Sequence, residues 1–354
     1  MITAEKTSVA VIPALRGLID TGKPQERVAE ARRRGRAFRQ SFLEQSPVFY
    51  ARRRNLLRIP YPSIYAFLGV YAQRYRKPYM VHLMASMSII QFVDLQGELR
   101  TLLFNPHDYE TGSDTPFFRR LANRTPKFLI GAIAPSYSTV LKELDAVGLR
   151  PEQIDYITYD HLHTQNLRRW LGDETRKPVF PNARLLVHEE EWKSVQGLLP
   201  IQAEWYCPSG TEGVSESKII TFVDSILLGQ GIALVHSPGH TAGNHSLVIR
   251  SPDGIRVSSE NGVAADSYAP EKSRHGAIRK YALETGMEVI LNGNTQESST
   301  NQYVSMILEK EIAGTDSVSG FPNVRPSSEC TPYWMFPAPV SHLFGADEFG
   351  TIRL

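Results

Sequence analysis

The chain has 354 residues, 42% of them hydrophobic and 21% charged, and a net charge of +2. That composition fits one large or two ordinary globular domains, and it gives no bulk electrostatic case for nucleic acid or a membrane surface. The two cysteines, Cys207 and Cys330, are too few for a disulfide framework and lack zinc-knuckle spacing, which suits a reducing, cytoplasmic setting.

No apolar run reaches transmembrane length, and Met1–Lys6 lacks the basic-then-apolar pattern of a signal peptide. Residues 8–75 read mainly as helix. Val9, Val11, Ile12, Leu15 and Leu18 form one apolar face, Gly22-Lys23-Pro24 breaks it, and a second helix is expected from about Pro24 to Gln45. Arginine is dense here: Arg27, Arg32, Arg33, Arg34, Arg36 and Arg39, then Arg52, Arg53, Arg54 and Arg58. Such a run is read as a solvated helix face paired with acidic neighbours before it is read as a docking surface. Ile59–Pro62 reads as a turn, and Ile64–Tyr75 as a short aromatic helix.

From Tyr79 the texture changes. Met80–Val93 and Leu99–Phe104, with Gly97 between them, predict a hairpin of strands ending at Asn105-Pro106-His107-Asp108. Thr139–Val147 is an amphipathic helix closed by Gly148. Ile154–Ile157 is a strand leading into His161-Leu162-His163, and Leu167–Leu171 opens a helix that Gly172 ends. Ala183–Val187 is then a strand and Glu189–Gln196 a helix. Lys218–Val223, Ile226–Leu228 and Ile232–His236 are strands, and an Asp253-Gly254 turn joins Ser246–Arg250 to Ile255–Ser258. Lys272–Gly286 is a helix, Glu288–Leu291 a strand and Asn301–Ile312 the last clear helix. Strands and helices alternate, with a hairpin at the start of each half, which predicts a mixed α/β (α+β) sandwich. The aromatic, proline-rich stretch Ser317–Pro339, with Tyr333-Trp334-Met335-Phe336, reads as an ordered tail lying over the domain. The expected division is a helical extension (1–78), a main domain (79–312) and a C-terminal tail (313–354).

Chemistry concentrates in two segments. His161 and His163 stand two residues apart, so in extended chain both imidazoles face one point. Neutral imidazole is the commonest protein ligand for a transition metal, but a pair alone proves little. The second segment is Ser237-Pro238-Gly239-His240-Thr241-Ala242-Gly243-Asn244-His245. There Gly239 and Gly243 allow sharp turns that bring His240 toward a shared centre, which makes His240 the candidate third ligand. His236 and His245, at strand ends, read as structural.

A strand, an H-x-H loop, a helix, a P-G-H-T-x-G loop about eighty residues on and a hairpin followed by an acidic residue occur in that order over residues 79–312. This stretch resembles the metallo-β-lactamase fold superfamily. The resemblance implies a four-layer αββα sandwich with a metal site at one edge between the sheets. It makes His161, His163 and His240 the ligands of a first metal, and puts Glu260 where the superfamily has a bridging aspartate. Where the superfamily motif continues H-x-H-x-D-H, this chain has Gln165 and Asn166, and Asn294 stands where a last histidine is expected. Carboxamides are poor zinc ligands, so the second metal is expected to be absent and one zinc ion per chain (iron or manganese as alternatives) is expected. Glu260 and Asp160 are the candidate catalytic carboxylates, although either could instead orient a histidine, and Asp160 could cap a helix. Gln165, Asn166 and Asn294 are candidate substrate-binding groups, or fill the vacated site. Tyr268 and Tyr333 are candidate oxyanion donors, or plain packing. His107, His188, His275 and His342 have no supporting context, and His275 is the one to check.

The function so implied is metal-dependent hydrolysis by a metal-bound hydroxide at a mononuclear three-histidine site, with Glu260 orienting or deprotonating the water. A small, largely apolar or aromatic substrate is expected: an ester, a lactone or an activated aryl ether. Two alternatives stand beside it. One is a mononuclear iron dioxygenase of the persulfide-dioxygenase type, with Glu260 in a facial triad. The other is a degenerate subunit supporting a related active chain. A homo-oligomer, or a hetero-oligomer with such a chain, is expected, because the helical extension has no evident core of its own.

Overall fold

Met80–Val93 (β4) is a fourteen-residue strand buried along nearly its whole length, and its side chains sort by parity. Met87 and Ile89 join one core cluster, whereas Ile90 and Phe92 join another. The same split separates Leu103 from Leu102 and Leu185 from Leu186, as the two-residue period of a strand requires when both faces are covered. The computed structural model describes residues 2–3, 9–20, 22–68, 80–107, 114–295, 297–332 and 340–354.

Two sheets result. The larger has nine strands among the described residues. They are β1 (Ile2–Thr3), β3 (Tyr50–Pro62), β4, β5 (Leu99–Phe104), β6 (Tyr156–Thr158), β7 (Arg184–His188), β8 (Ile219–Phe222), β14 (Ser328–Thr331) and β15 (Asp347–Gly350). Their order is β1-β8-β7-β6-β5-β4-β3-β15, with β14 on the first half of β4. The smaller sheet runs β13 (Val324–Pro326), β12 (Gly254–Ser259), β11 (His245–Ser251), β10 (Ile232–His236), β9 (Ile226–Gly229) and β2 (Ala10–Val11). Between them lies an apolar layer of Ile90, Phe92, Leu102 and Leu186 from one sheet and Leu234, Leu247 and Ile249 from the other. Helices Val140–Asp145, Leu167–Leu171 and Glu189–Val195 cover the outer face of the large sheet through Leu144, Trp170 and Trp192. Helices Pro24–Leu43 and Ser299–Ala313 cover the outer face of the small one through Phe38, Phe42, Val304 and Leu308. These four layers are the expected αββα sandwich. At Gly35 the two covering helices meet closely: a Cβ there would lie 2.9 Å from the Glu311 Cβ.

The hairpin β4–β5 and the helix at Leu167–Leu171 form as expected, and the arginines of the first helix pair with Glu30, Glu288 and Glu311. Several expectations fail. The apolar face from Val9 to Leu18, read as helix, instead forms β2 and a single 3-10 turn at Pro13–Leu15. Residues 50–62, read as helix and turn, form β3, which pairs with β4 along its length. Its arginines suggested a helix face, but Arg52 reaches Glu143 on the Val140–Asp145 helix, Arg54 reaches Glu348 on β15, and Arg53 is buried, donating to the Pro326 carbonyl. Pro60 fits because β15 covers only residues 50–53 and leaves the rest of that edge unpaired by it. Glu288–Leu291 is not a strand: Val289, Ile290 and Leu291 are buried, but the Ile290 amide donates to the Ser267 carbonyl of a short helix and the Asn292 amide to the Asn261 carbonyl. The C-terminal stretch does not merely lie over the domain: β13 enters the small sheet and β14 and β15 enter the large one. Strand pairing therefore crosses the expected boundary at 312/313, and β3, from the expected extension, sits inside the large sheet. The boundary at 78/79 and the Tyr333–Phe336 cluster lie outside the described residues. Helices Pro116–Arg124 and Lys127–Ile133 were not expected.

We propose that the N-terminal helix belongs to the same cooperative unit as the sandwich. Phe42 is fully buried and stacks on Phe38 at 5.1 Å between ring centroids. Phe42→Ala is therefore expected to lower the main urea-unfolding transition by about 3–5 kcal/mol. A separately folding extension would leave that transition where it is.

Candidate metal centre

Two loops at one end of the inter-sheet layer build the site. The first leaves β6 and runs from Tyr159 to Asn166. It turns at Thr164, whose φ of +65° is left-handed, and the Thr164 amide donates to the Trp205 carbonyl. The second joins β10 to β11 and carries His240. Its Gly239 has φ +151°, and a Cβ there would lie 2.2 Å from the Gln302 Cα, so only glycine fits. Gly243 is equally constrained: a Cβ would lie 2.2 Å from the Glu191 backbone nitrogen.

The loops bring His161, His163 and His240 together. One ligand atom from each lies within 4.8 Å of those of the others, and the ring centroids are 4.5–5.0 Å apart with the rings nearly perpendicular. Rings held edge-on around one point, rather than stacked, leave room for a shared ion. His163 Nδ1 and His240 Nδ1 are buried with no hydrogen-bond partner among the described residues, which is a costly arrangement unless something else satisfies them. Burial, followed by the neighbouring His161, holds both imidazoles well below the ordinary histidine range, so both are neutral and able to ligate. His161 Nδ1 is 2.8 Å from Asp160 Oδ1. Burial opposes charge on either partner, but their attraction prevails, lowering Asp160 and raising His161. Asp160 thus orients His161 as an ionised acceptor, and also takes the Ser327 hydroxyl. A three-imidazole donor set with two orphaned nitrogens fits a divalent transition ion such as zinc.

The architecture is the αββα sandwich that the resemblance implies, with the three histidines at one end of the layer between its sheets.

No family model matches the chain, and no curated protein matches it. Among solved structures it is similar to AidC, a dizinc quorum-quenching lactonase in complex with a product, at 11% identity and a TM-score of 0.47 over 87% of this chain and 97% of that one. It is similar to a quorum-quenching N-acyl homoserine lactone hydrolase at 14% identity and a TM-score of 0.46, covering 69% and 90% of the two chains. A probable metal-dependent hydrolase from Staphylococcus aureus follows at 17% identity and a TM-score of 0.45, covering 61% and 74%.

The other expected site residues divide. Glu260 lines the same cavity as the triad, but its carboxylate does not join the group of mutually close ligand atoms; its Oε2 accepts the Ser328 amide at 2.8 Å. Burial, then the Asp160 charge, pushes its carboxyl up to about 8. Gln165 and Asn294 line the cavity, and the Asn294 amide donates to Asn292 Oδ1. Asn166 is not among the lining residues; it precedes the Leu167–Leu171 helix, and its Oδ1 is buried. His275 also lies off the cavity, before the Gly276–Thr285 helix. Tyr268 donates to Glu309, His188 stacks on His236 and His342 on Phe321, so these are packing groups. Tyr333 lies outside the described residues. His107, a histidine with no motif around it, also lines the cavity.

Two buried glutamates went unread. Glu191, at 1% exposure, accepts the Leu162 amide at 2.8 Å and the Tyr206 hydroxyl at 3.0 Å on Oε1, and the Thr241 hydroxyl at 2.6 Å on Oε2. It therefore bridges the two histidine loops. Glu309 accepts from Ser246, Ser259, Asn261 and Tyr268, and Asn261 Oδ1 in turn accepts the His240 amide. Both glutamates stand within helices, Glu191 in an acidic first turn and Glu309 in the Ser299–Ala313 helix, where nothing local marks them.

Glu191→Ala is expected to weaken zinc binding by about 10–100-fold in a chelator-competition titration, the usual effect of losing a group that orients ligands. Glu260 sets a pH dependence. Folded, it stays protonated up to about pH 8; unfolded, it ionises from about 4.5, so in the metal-free chain stability is lost as pH rises between those values. Glu260→Gln should therefore gain stability over the wild type between pH 5.5 and pH 7.5, by about 2 kcal/mol in urea unfolding with chelator present. A pH-independent difference would refute the assignment.

Proposed function

We propose that this protein is a metal-dependent hydrolase acting on a small, largely apolar carboxylic ester or lactone. The observation that carries the reading is the convergence of three imidazoles, two of them buried with orphaned nitrogens, on a cavity with an extensive apolar wall. His161, His163 and His240 would hold the ion. When bound by three neutral imidazoles with one open position, such an ion lowers the pKa of water to about 7 and polarises a substrate oxygen.

The chain's own residues do the rest. Leu57, Ile59, Leu83, Phe118, Ile130 and Ile133 give the cavity an apolar wall that seats an acyl or aryl group and excludes water. The Pro116–Arg124 and Lys127–Ile133 helices supply half of that wall, and the Arg120–Glu204 pair and the Phe117 amide, donating to the Glu204 carbonyl, tie the first of them to the domain. Asp160 holds His161 in one orientation. Glu260, on the wall of the same cavity, would orient a water or substrate oxygen. Gln165 and Asn294 replace groups that would hold a second ion, which supports one ion per chain. Such a site suits carbonyl substrates better than phosphodiesters, which favour two metals.

The test is to assay zinc-, manganese- and iron-loaded protein against aryl esters and γ-lactones. Hydrolysis that chelator abolishes, metal restores and His161→Ala eliminates is the expected result. Oxygen consumption by the iron form without hydrolysis would replace this reading with an iron dioxygenase. Phe118→Ala should raise KM for a hexanoyl ester about tenfold and leave kcat within about twofold, as loss of uniform apolar binding does.

A further inference from the structure

We propose that His107 is a catalytic residue of this site, a proton shuttle between the attacking water and the departing oxygen. The proposal rests on the hydrolase reading and names a residue that the superfamily resemblance does not supply.

The argument begins with what stands where a metal-binding aspartate would be. Gln165 Nε2 donates to the His163 carbonyl at 3.1 Å, and a carbonyl can only accept, so the amide orientation is fixed. Its Oε1 is then the atom 3.2 Å from His107 Nδ1. That oxygen can only accept, so Nδ1 carries the hydrogen, and in the neutral ring Nε2 is the basic nitrogen. Gln165 thus does for His107 what a triad's carboxylate does for its histidine: it selects the tautomer and the ring orientation.

The backbone around His107 is held equally firmly to the first histidine loop. The Asn105 amide donates to the Thr158 carbonyl, and Asn105 takes the left-handed conformation at φ +52°, from which its Oδ1 accepts the Asp160 amide at 3.1 Å. The buried Tyr159 hydroxyl donates to the Pro106 carbonyl at 2.9 Å. His107 follows directly and lines the cavity shared with His161, His163, His240 and Glu260. An imidazole fixed at both backbone and ring, on the wall of the same cavity and outside the ligand cluster, is a group that can take up the role of a general base.

In the step, the oxygen of water bonds to the ester carbonyl carbon while a proton of that water passes to His107 Nε2. The bond from that carbon to the alcohol oxygen then breaks, and the proton on Nε2 passes to the departing oxygen. Water and ester give acid and alcohol, with His107 returned to its starting form and no oxidant or reductant involved.

The proposal predicts that the harm done by losing His107 depends on how much the leaving group needs a proton. Zinc-loaded wild type and His107→Gln are compared on phenyl acetate and 4-nitrophenyl acetate. His107→Gln should lose about 10²–10³-fold in kcat/KM on phenyl acetate, the scale of general acid–base catalysis, and less than about tenfold on the nitrophenyl ester. Its zinc content and zinc affinity should match the wild type, and added imidazole should restore part of the phenyl acetate activity of His107→Ala. If His107→Gln does not fold, Gln165→Met, which keeps the ring but removes the acceptor of its Nδ1–H, should show the same selective loss. Equal losses on both esters, or no rescue by imidazole, would overturn the role of His107 while leaving the hydrolase reading intact. A zinc-loaded wild type that cleaves neither ester nor a lactone would overturn both.

Discussion

A single buried carboxylate couples the two halves of the site. Glu191 stands between the loop of His161 and His163 and the loop of His240, and each of its oxygens serves one of them. The loops come from different sheets, and the His245 amide, donating to the Asp160 carbonyl, adds a second tie between them. Burial alone would favour the protonated acid, which has lost an acceptor position and could not serve three donors as well. The surrounding amide and hydroxyls oppose that tendency. The close approach demanded at Gly243 follows from the same contact, because the helix that carries Glu191 comes within backbone distance of the second loop.

Much of the fold was legible because its signals are local. The hairpin at β4–β5, the strand before the H-x-H pair and the glycines around His240 each announce themselves through period, turn chemistry or conformational need. The triad was legible for the same reason, since H-x-H and P-G-H-T-x-G are short motifs with a mechanical meaning. What failed depended on distant partners. Residues 50–62 carry charges and prolines that argue against a strand in isolation, and become one because Met80–Val93 lies alongside and Glu348 and Glu143 meet the arginines. Glu191, Glu309 and His107 gave no local signal, because their roles consist of contacts with residues between 15 and 63 positions away.

The expected site residues sort on the same principle. Asp160 and Gln165 neighbour the histidines in sequence and take up roles beside them. Glu260, assigned as a ligand only through the superfamily pattern, lies on the cavity wall, where the Ser328 amide holds one of its oxygens. Gln165 and Asn294 both line the cavity, the first hydrogen-bonded to the His163 carbonyl and the second, through its backbone amide, to Asn292.

The segment between β13 and β14 has a bearing on biosynthesis. Ser327 donates to Asp160 and the Ser328 amide to Glu260, so the two carboxylates flanking the histidines are fastened by residues near the end of the chain. A chain synthesised only as far as Glu260 already carries all three imidazoles, yet it lacks the strands that close β4 and the small sheet. The surroundings of the histidines are therefore completed by a residue 167 positions beyond Asp160, long after the histidines themselves have been made.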